Sequence, residues 1–229
     1  MCGRYYRRSD KQRIADAFRI GVPPTFEILP SCNIAPQALQ PVVRLDAETQ
    51  QRELALMRWG LIPFWAKDAK IGHSTINAKA ETLATAAAFR EALRRRRCLV
   101  RTDGFYESQA LDAKAKQPRA IALKDGSPFA FPGFWDAWKD KTTGQPLETY
   151  TIITTEPNEL TAKLHNRMSA ILAPKDYERW MAPGDPARLP VDLLRPCDAD
   201  LMTCWRVSAA VGNVRNDSPD LCKAASAGW

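Results

Sequence analysis

Cys2, the second residue of the chain, combines the groups best suited to covalent chemistry. Removal of Met1, which a small second residue favours, would leave Cys2 with a free α-amine beside its thiol. An α-amine has a pKa of about 7.7–8.0, so roughly a tenth of it is neutral and nucleophilic at pH 7. Such an amine forms an imine with an aldehyde, and the thiol can then close a five-membered thiazolidine ring. The sequence therefore places a potential aldehyde trap at Cys2; the alternative is a frayed chain start without a role.

Three further segments concentrate polar residues between apolar or tightly turned neighbours. They are Asn77-Ala78-Lys79-Ala80-Glu81-Thr82, Asp103-Gly104-Phe105-Tyr106-Glu107 and Leu164-His165-Asn166-Arg167-Met168. A single Glu after two aromatic residues is ordinarily a surface carboxylate, and a single His at a helix end is ordinarily a capping residue. Each segment therefore indicates a function only in combination with the others.

Together with Cys2, these segments resemble in type and order the SRAP family, abasic-site-processing proteins once called SOS-response-associated peptidases. The resemblance runs along almost the whole chain. Its further motifs are Asn33-Ile34-Ala35-Pro36, Trp59-Gly60-Leu61-Ile62-Pro63 with Trp65, Arg97-Cys98, Phe134-Trp135, Thr151 to Thr155, Val207-Ser208 and Val211-Gly212-Asn213-Val214.

The resemblance implies an enzyme that finds abasic sites in single-stranded DNA and crosslinks to them in the DNA damage response. The opened deoxyribose presents an aldehyde, which the Cys2 amine attacks before the thiol closes the thiazolidine. By resemblance, Asn77 holds the amine and the sugar, Glu107 shuttles protons, and His165 assists sugar opening and reversal. The family also implies hydrolase or protease activity through self-removal of Met1, and lyase activity.

DNA contacts follow from the same resemblance. Arg4, Lys79 and Arg167 match positions that hold phosphates near the lesion, and Trp65 matches an aromatic residue on which a base stacks. Three departures from the family pattern accompany them. Lys79 replaces an Arg, while Ser108 and Ser169 stand where Trp and Pro are common. These departures bear on DNA affinity and packing more than on the chemistry.

Two other function classes remain open from the sequence. A class II glutamine amidotransferase, or a peptidase, also uses an N-terminal cysteine, but the start Arg4-Tyr5-Tyr6-Arg7-Arg8 suits phosphate better than glutamine. A non-catalytic single-strand binder with a merely buried Cys2 is the third alternative.

The amino-acid composition limits which classes of protein the chain can belong to. The 229 residues are 45% hydrophobic and 26% charged, as in ordinary globular proteins, and the formal net charge of +7 favours a polyanionic partner. Six scattered cysteines and two histidines argue against a metal site, and we expect neither metal nor cofactor.

Without a signal peptide or an apolar span, we expect no membrane association and a cytoplasmic protein that joins the nucleoid when bound to DNA. Replication-fork proteins are expected partners, and a monomer suffices.

The candidate residues must be positioned by helices and strands, and the pattern of predicted helices and strands indicates an α+β fold. We expect one SRAP-type domain over residues 1–229, with a tail from about residue 216 and a largely antiparallel, barrel-like β core flanked by helices. A hairpin is predicted from Pro41–Leu45 and Glu53–Trp59, and a central strand over Thr149–Thr155. Helices are predicted over Thr82–Arg96 and from Glu156 to about Leu164, the latter delivering His165.

Overall fold

Strands dominate the computed structural model, which describes residues 2–21, 25–112, 115–184 and 188–225. Met1 and residues 226–229, on which the predicted Met1 removal and part of the predicted tail fall, lie outside the described residues. The strands are β1 Tyr5–Arg7, β2 Ser31–Ile34, β3 Leu39–Leu45, β4 Arg52–Trp59, β5 Asn77–Lys79, β6 Arg97–Thr102, β7 Gly104–Ala110, β8 Lys116–Leu123, β9 Phe129–Lys139, β10 Pro146–Thr155, β11 Met168–Ser169 and β12 Met202–Arg206. The α-helices are α1 Lys11–Phe18, α2 Arg90–Arg95 and α3 Tyr177–Met181.

Five of these strands close into a barrel. The pairs run β10–β4, β4–β3, β3–β6, β6–β9 and back through β9–β10, so both edges of each strand are occupied. All of these pairs are antiparallel except β10–β4. Closure removes exposed sheet edges, which is a common solution for antiparallel proteins. The predicted hairpin of β3 and β4 and the predicted central strand β10 are confirmed.

A second sheet of five strands, in the order β12-β8-β7-β1-β2, lies against the barrel. One apolar cluster contains Tyr5 and Phe105 from this sheet together with Val42, Phe131 and Tyr150 from the barrel. The expectation of an α+β domain with a largely antiparallel, barrel-like core is therefore confirmed.

The helices cover the other side of the barrel. Asp10 caps α1 by accepting a hydrogen bond from the Arg13 N–H at 2.9 Å, and Phe18 stacks on Tyr177 with ring centroids 5.2 Å apart. From α3, Trp180 donates its indole N–H to the Cys98 carbonyl of β6 at 2.9 Å. None of the helices in the described part of the chain has the length and apolarity that crossing a membrane requires.

Two predicted helices are wrong in extent. Of the predicted helix Thr82–Arg96, only α2 is α-helical, and the part before it consists of turns. There the backbone N–H and hydroxyl of Thr85 both donate to the Thr82 carbonyl, and such local bonds compete with helix formation.

The predicted helix after Glu156 contains only a 3-10 turn at Thr161–Lys163. Asn158 accounts for this difference. Its side chain accepts from the Thr161 N–H at 2.9 Å and donates to the Cys197 carbonyl at 2.8 Å, so it ties a tight turn to the C-terminal segment. His165 still follows this turn, and its N–H donates to the Thr161 carbonyl at 2.9 Å.

Gly104 at the start of β7 allows β1 and β7 to approach closely. A Cβ there would lie 2.2 Å from the Tyr6 hydroxyl and 2.6 Å from the Ile121 carbonyl oxygen. We predict that Gly104→Ala lowers the free energy of unfolding by about 2 kcal/mol or more, since backbone and a buried ring would have to shift. Urea denaturation measures this loss. Gly184→Ala, with nothing within 4 Å of the added methyl, is the matched control, and equal losses in both variants would contradict the packing argument.

Candidate functional site

Cys2 is completely buried three residues before β1, in the apolar cluster shared by the barrel and the second sheet. The Asn77 side chain donates Nδ2–H to the Cys2 carbonyl at 2.8 Å. The Cys2 thiol donates to the Arg4 carbonyl at 3.7 Å, a long contact suited to sulfur. The Asn77 bond to its carbonyl and the contact of its thiol with the Arg4 carbonyl thus hold Cys2 in one orientation.

The environment of Cys2 keeps its thiol protonated. Burial raises the pKa of the thiol to about 12, the Ser169 side chain lowers it, and the negative charge of Glu107 raises it. A protonated thiol is a poor first nucleophile. The environment therefore favours the less nucleophilic form of this thiol.

Glu107 reaches Cys2 through the register of β1 and β7. Tyr5 pairs with Phe105, and the Tyr106 N–H donates to the Arg4 carbonyl at 3.0 Å. Continuing this antiparallel register places Glu107 opposite Gly3, next to Cys2. Glu107 is 7% exposed, so a carboxyl group lies in a largely water-free environment beside the thiol.

Asn77 lies on the short strand β5, which pairs with β10 of the barrel. Its backbone pairs with Ile152 of β10, and the Trp59 indole N–H donates to the Ile76 carbonyl at 2.8 Å. While Nδ2 holds the Cys2 carbonyl, Oδ1 is buried and has no hydrogen-bond partner in the described part of the chain. A buried amide oxygen without a donor is costly, so this atom is an open acceptor beside Cys2.

His165 and Arg167 lie just before β11, which pairs with the far end of β10. The Arg167 N–H donates to His165 Nδ1 at 3.0 Å, so the neutral ring carries its proton on Nε2. The Arg167 guanidinium binds Glu81 through two hydrogen bonds of 2.7 and 3.0 Å and donates to the Thr154 carbonyl at 2.7 Å. The predicted phosphate ligand Arg167 is thus oriented by Glu81.

The guanidinium of Arg4 is engaged within the protein. It donates to Asn33 Oδ1 at 2.6 Å, the Val211 carbonyl at 2.8 Å and the Gly212 carbonyl at 3.2 Å. Asn33 in turn donates to the carbonyls of Val211, Asn213 and Asn216. These bonds tie the C-terminal segment to β2, a role that sequence reasoning missed although both motifs are visible in the sequence. A phosphate contact of Arg4 stays a prediction.

Trp65 and Lys79 are exposed, as DNA contacts must be. Trp65 is 49% exposed and its neighbour Phe64 55% exposed, on a loop whose Phe64 N–H donates to the Asp136 carboxylate at 3.0 Å. Lys79 is exposed at the end of β5, where its backbone pairs with Thr154. Two exposed aromatic rings and an exposed cation are therefore carried by segments anchored to the barrel strands.

Of the predicted catalytic residues, Cys2, Asn77 and Glu107 come together directly. His165 follows on the segment leading into Met168, which packs in the same apolar cluster as Cys2. In the described part of the chain, no three His, Cys, Asp or Glu residues lie together as a metal site would require. The arrangement offers a thiol, a carboxyl and an amide oxygen, and removal of Met1 would add an α-amine, a set of groups that suits carbonyl condensation.

Comparison with known proteins identifies the family. The profile described as SOS response associated peptidase (SRAP) matches residues 1–214. The chain belongs to the SRAP family. It is 43% identical to the abasic site processing protein YoqW of Bacillus subtilis (strain 168), over 96% of this chain and 98% of the relative. It is 33% identical to the abasic site processing protein HMCES of Gallus gallus, over 83% of this chain and 65% of that longer relative.

Two solved structures share the architecture of this chain. A protein from Bacteroides thetaiotaomicron superposes with a TM-score of 0.86 at 27% identity, over 98% of this chain and 100% of that one. A protein from Bordetella bronchiseptica gives a TM-score of 0.76 at 25% identity, over 90% of this chain and 100% of that one. The fold observed here is thus the fold of these structures.

The Arg167–Glu81 pair yields a prediction for the SRAP site. Hydrogen bonding to Arg167 lowers the pKa of the Glu81 carboxyl. The stabilisation from this pair is therefore fully present at pH values above the ordinary carboxyl pKa, and it is lost as the pH falls through the lowered pKa. Arg167→Met is expected to raise the pKa of Glu81 toward its ordinary value, measured by carbon-13 NMR titration of side-chain carboxyls. Arg179→Met is the matched control, because it removes the similar bond to Asp192 and leaves Glu81 unchanged. An unshifted Glu81 in Arg167→Met would contradict the pairing.

Proposed function

We propose that this protein processes abasic sites in single-stranded DNA by forming a covalent thiazolidine crosslink through Cys2 after Met1 is removed. The observation that carries the proposal is the arrangement around Cys2, in which Asn77 binds its carbonyl at 2.8 Å and Glu107 lies beside its thiol. The names of the SRAP relatives, abasic site processing proteins, give the substrate class.

In the first step, the neutral Cys2 amine attacks the aldehyde of the opened deoxyribose. The buried Oδ1 of Asn77 accepts an N–H of that amine and so aims the nitrogen lone pair. Glu107 moves a proton to the carbinolamine hydroxyl, which leaves as water and yields the imine. Holding the reacting groups in place contributes most, because oriented intramolecular reactions reach effective molarities on the order of 10⁵ M or more.

In the second step, the Cys2 sulfur adds to the imine carbon and closes the ring. The high pKa of the buried thiol delays this attack until the imine has formed. His165, with its proton on Nε2, faces the sugar from the segment before β11 and assists ring opening and the reverse reaction. The resulting crosslink shields the lesion.

The DNA path follows the exposed cations and aromatic rings. Lys79 and Arg167 bind phosphates on either side of the lesion, with Arg167 oriented by its two bonds to Glu81, and Arg4 contributes positive charge two residues from Cys2. A base stacks on Trp65. The net charge of +7 draws the strand to the protein and makes binding dependent on salt.

Met1 removal gives the proposal a hydrolytic component, since it breaks a peptide bond. Steady hydrolysis of glutamine or of other proteins is the alternative, and binding of single-stranded DNA without chemistry is another. We further propose that the protein acts as a monomer in the cytoplasm, joins the nucleoid when bound to DNA, and meets replication-fork proteins there. Lyase activity at the abasic site would compete with the crosslink.

The crosslink is tested with single-stranded DNA carrying one abasic site. We expect a band that survives denaturing electrophoresis with the natural chain and is lost completely with Cys2→Ala, because both nucleophiles of the ring belong to Cys2. The DNA with an intact base and the variant Cys98→Ala, which removes another buried thiol, are the controls. Mass spectrometry first establishes that Met1 is absent.

Each alternative has its own result in this experiment. A crosslink that persists in Cys2→Ala would refute the proposed nucleophile. Absence of any crosslink from protein lacking Met1, combined with retained DNA binding, would favour the plain binder. Glutamine hydrolysis that depends on Cys2 would favour the amidotransferase.

Trp65 allows binding to be separated from chemistry. We predict that Trp65→Ala weakens binding of single-stranded DNA by about 1–3 kcal/mol, because one base loses its stacking surface. At saturating DNA the crosslinking rate should stay unchanged. Fluorescence anisotropy and single-turnover gels measure the two quantities. Leu201→Ala, which truncates another exposed apolar side chain, is the control and should change neither.

A further inference from the structure

Four consecutive arginines, Arg94 to Arg97, stand at the end of α2, and the last of them completes the helix. Arg97 is buried, and its guanidinium donates to the Leu93 carbonyl at 3.0 Å and to the Arg94 carbonyl at 3.1 Å. The last carbonyls of a helix require such partners. Because Arg97 supplies them, the side chains of Arg94 and Arg95 are not needed to cap α2.

Arg94 and Arg95 are both exposed and carry charge that the fold scarcely uses. The Arg94 guanidinium pairs with Glu91 at 3.3 Å, and an exposed pair of this kind contributes about 0–1 kcal/mol. The Arg95 side chain has no ion pair or hydrogen bond in the described part of the chain. Both cations are therefore available to a partner outside the protein.

These two residues line a basic groove, which consists of two adjoining cavities that share Leu45, Gln50, Met181 and Pro183. Among the described residues that line it, Glu178 is the one carboxylate. The arginines that line it are Arg19, Arg52, Arg94, Arg95, Arg96 and Arg97. A concave surface with charge of one sign concentrates its field and attracts ions of the opposite sign. The basic groove therefore favours a polyanion.

Arg96 joins the basic groove to the loop that carries Trp65. Its guanidinium binds one oxygen of the buried Asp136 carboxylate at 3.0 Å, and the Phe64 N–H donates to the other oxygen at 3.0 Å. A single carboxylate thus holds the start of the groove beside the exposed Phe64–Trp65 pair. A DNA strand with one base stacked on Trp65 has the basic groove next to it.

We propose that the basic groove binds the phosphodiester backbone of the strand that continues from the lesion, with Arg94 and Arg95 as phosphate ligands. The inference rests on the proposed function and extends its substrate to DNA beyond the abasic site. Phosphate fits because guanidinium groups bind its oxygens in pairs.

The basic groove is suited to the backbone and not to the bases. Trp135, the aromatic residue that lines it, is already engaged by two guanidinium groups. Those of Arg44 and Arg96 lie 4.3 and 5.7 Å from the centroid of its ring. Contacts to phosphates position a strand without reading its sequence. Binding in the groove should therefore be independent of base sequence and sensitive to salt.

The double variant Arg94→Gln/Arg95→Gln tests the groove with intact-base and abasic single strands of about 5 and about 20 nucleotides, which bracket common site sizes. For the long strand, we expect about tenfold weaker binding at about 0.1 M salt, with a salt slope of log affinity reduced by about 1.4, since each contact contributes about 0.7. Affinity for the short strand should stay unchanged, which also shows that the fold is intact. Fluorescence anisotropy over a salt series measures these quantities.

Lys124→Gln/Arg195→Gln is the matched control, because it removes two exposed positive charges elsewhere. The Lys124 N–H donates to the Leu201 carbonyl at 2.9 Å, and Arg195 lines a separate cavity together with Leu201. This control should leave the salt slope for the long strand unchanged. Equal losses in the two double variants would show an effect of net charge alone and would overturn the groove.

An equal loss for short and long strands would also overturn the groove, because the short strand fills only the lesion site. The affinity for intact-base strands decides the groove, and the covalent band with abasic strands decides the proposed function. Absence of that band with the natural chain would therefore overturn the proposed function separately.

Discussion

The backbone pairing of β10 is the constraint on which the barrel and the site both depend. Along Pro146–Ile152 this strand pairs with β9 and so closes the barrel, and at Thr149–Tyr150 it also pairs with β4. It then continues past those partners and pairs with β5 and β11 at its end. Asn77 on β5 and Ser169 on β11 are thus held on opposite edges of one strand, and Asn77 binds the Cys2 carbonyl. A local distortion of β10 would move both together.

Burial sets the order of the proposed chemistry. Cys2 belongs to an apolar cluster that contains packed aromatic rings. The ring centroids of Tyr5 and Trp59 are 5.3 Å apart, and the hydroxyls of Tyr5 and Tyr150 share a hydrogen bond of 2.8 Å. Such surroundings raise the pKa of the thiol, whereas an α-amine is partly neutral at pH 7 even without help. In the proposed chemistry, the two nucleophiles of a single residue are therefore distinguished by their pKa values.

Several motif residues serve the architecture, and only the structure shows this. Arg4 and Asn33 tie the Val211–Gly212 turn to the start of the chain. Gly60, in the Trp-Gly-Leu-Ile-Pro motif, has a φ of +121° and lies where a Cβ would meet the Gly72 carbonyl oxygen at 2.3 Å. These residues appear in the sequence beside the chemical ones with nothing to distinguish them, because spacing does not reveal which side chains face a partner segment.

The sequence by itself determined the β-rich α+β class, the hairpin of β3 and β4, the central strand β10 and the identity of Cys2, Asn77, Glu107 and His165 as candidates. Alternation, β-branched runs and ordered motifs are local properties, so they are readable without a fold. Tertiary structure decided the lengths of the two overextended helices, where Thr85 and Asn158 bond locally instead. It also decided that Glu107 lies beside Cys2 through strand register and that Arg167 pairs with Glu81. Each of these depends on which distant strands pair, a choice made by burial of the shared core and not by neighbouring residues.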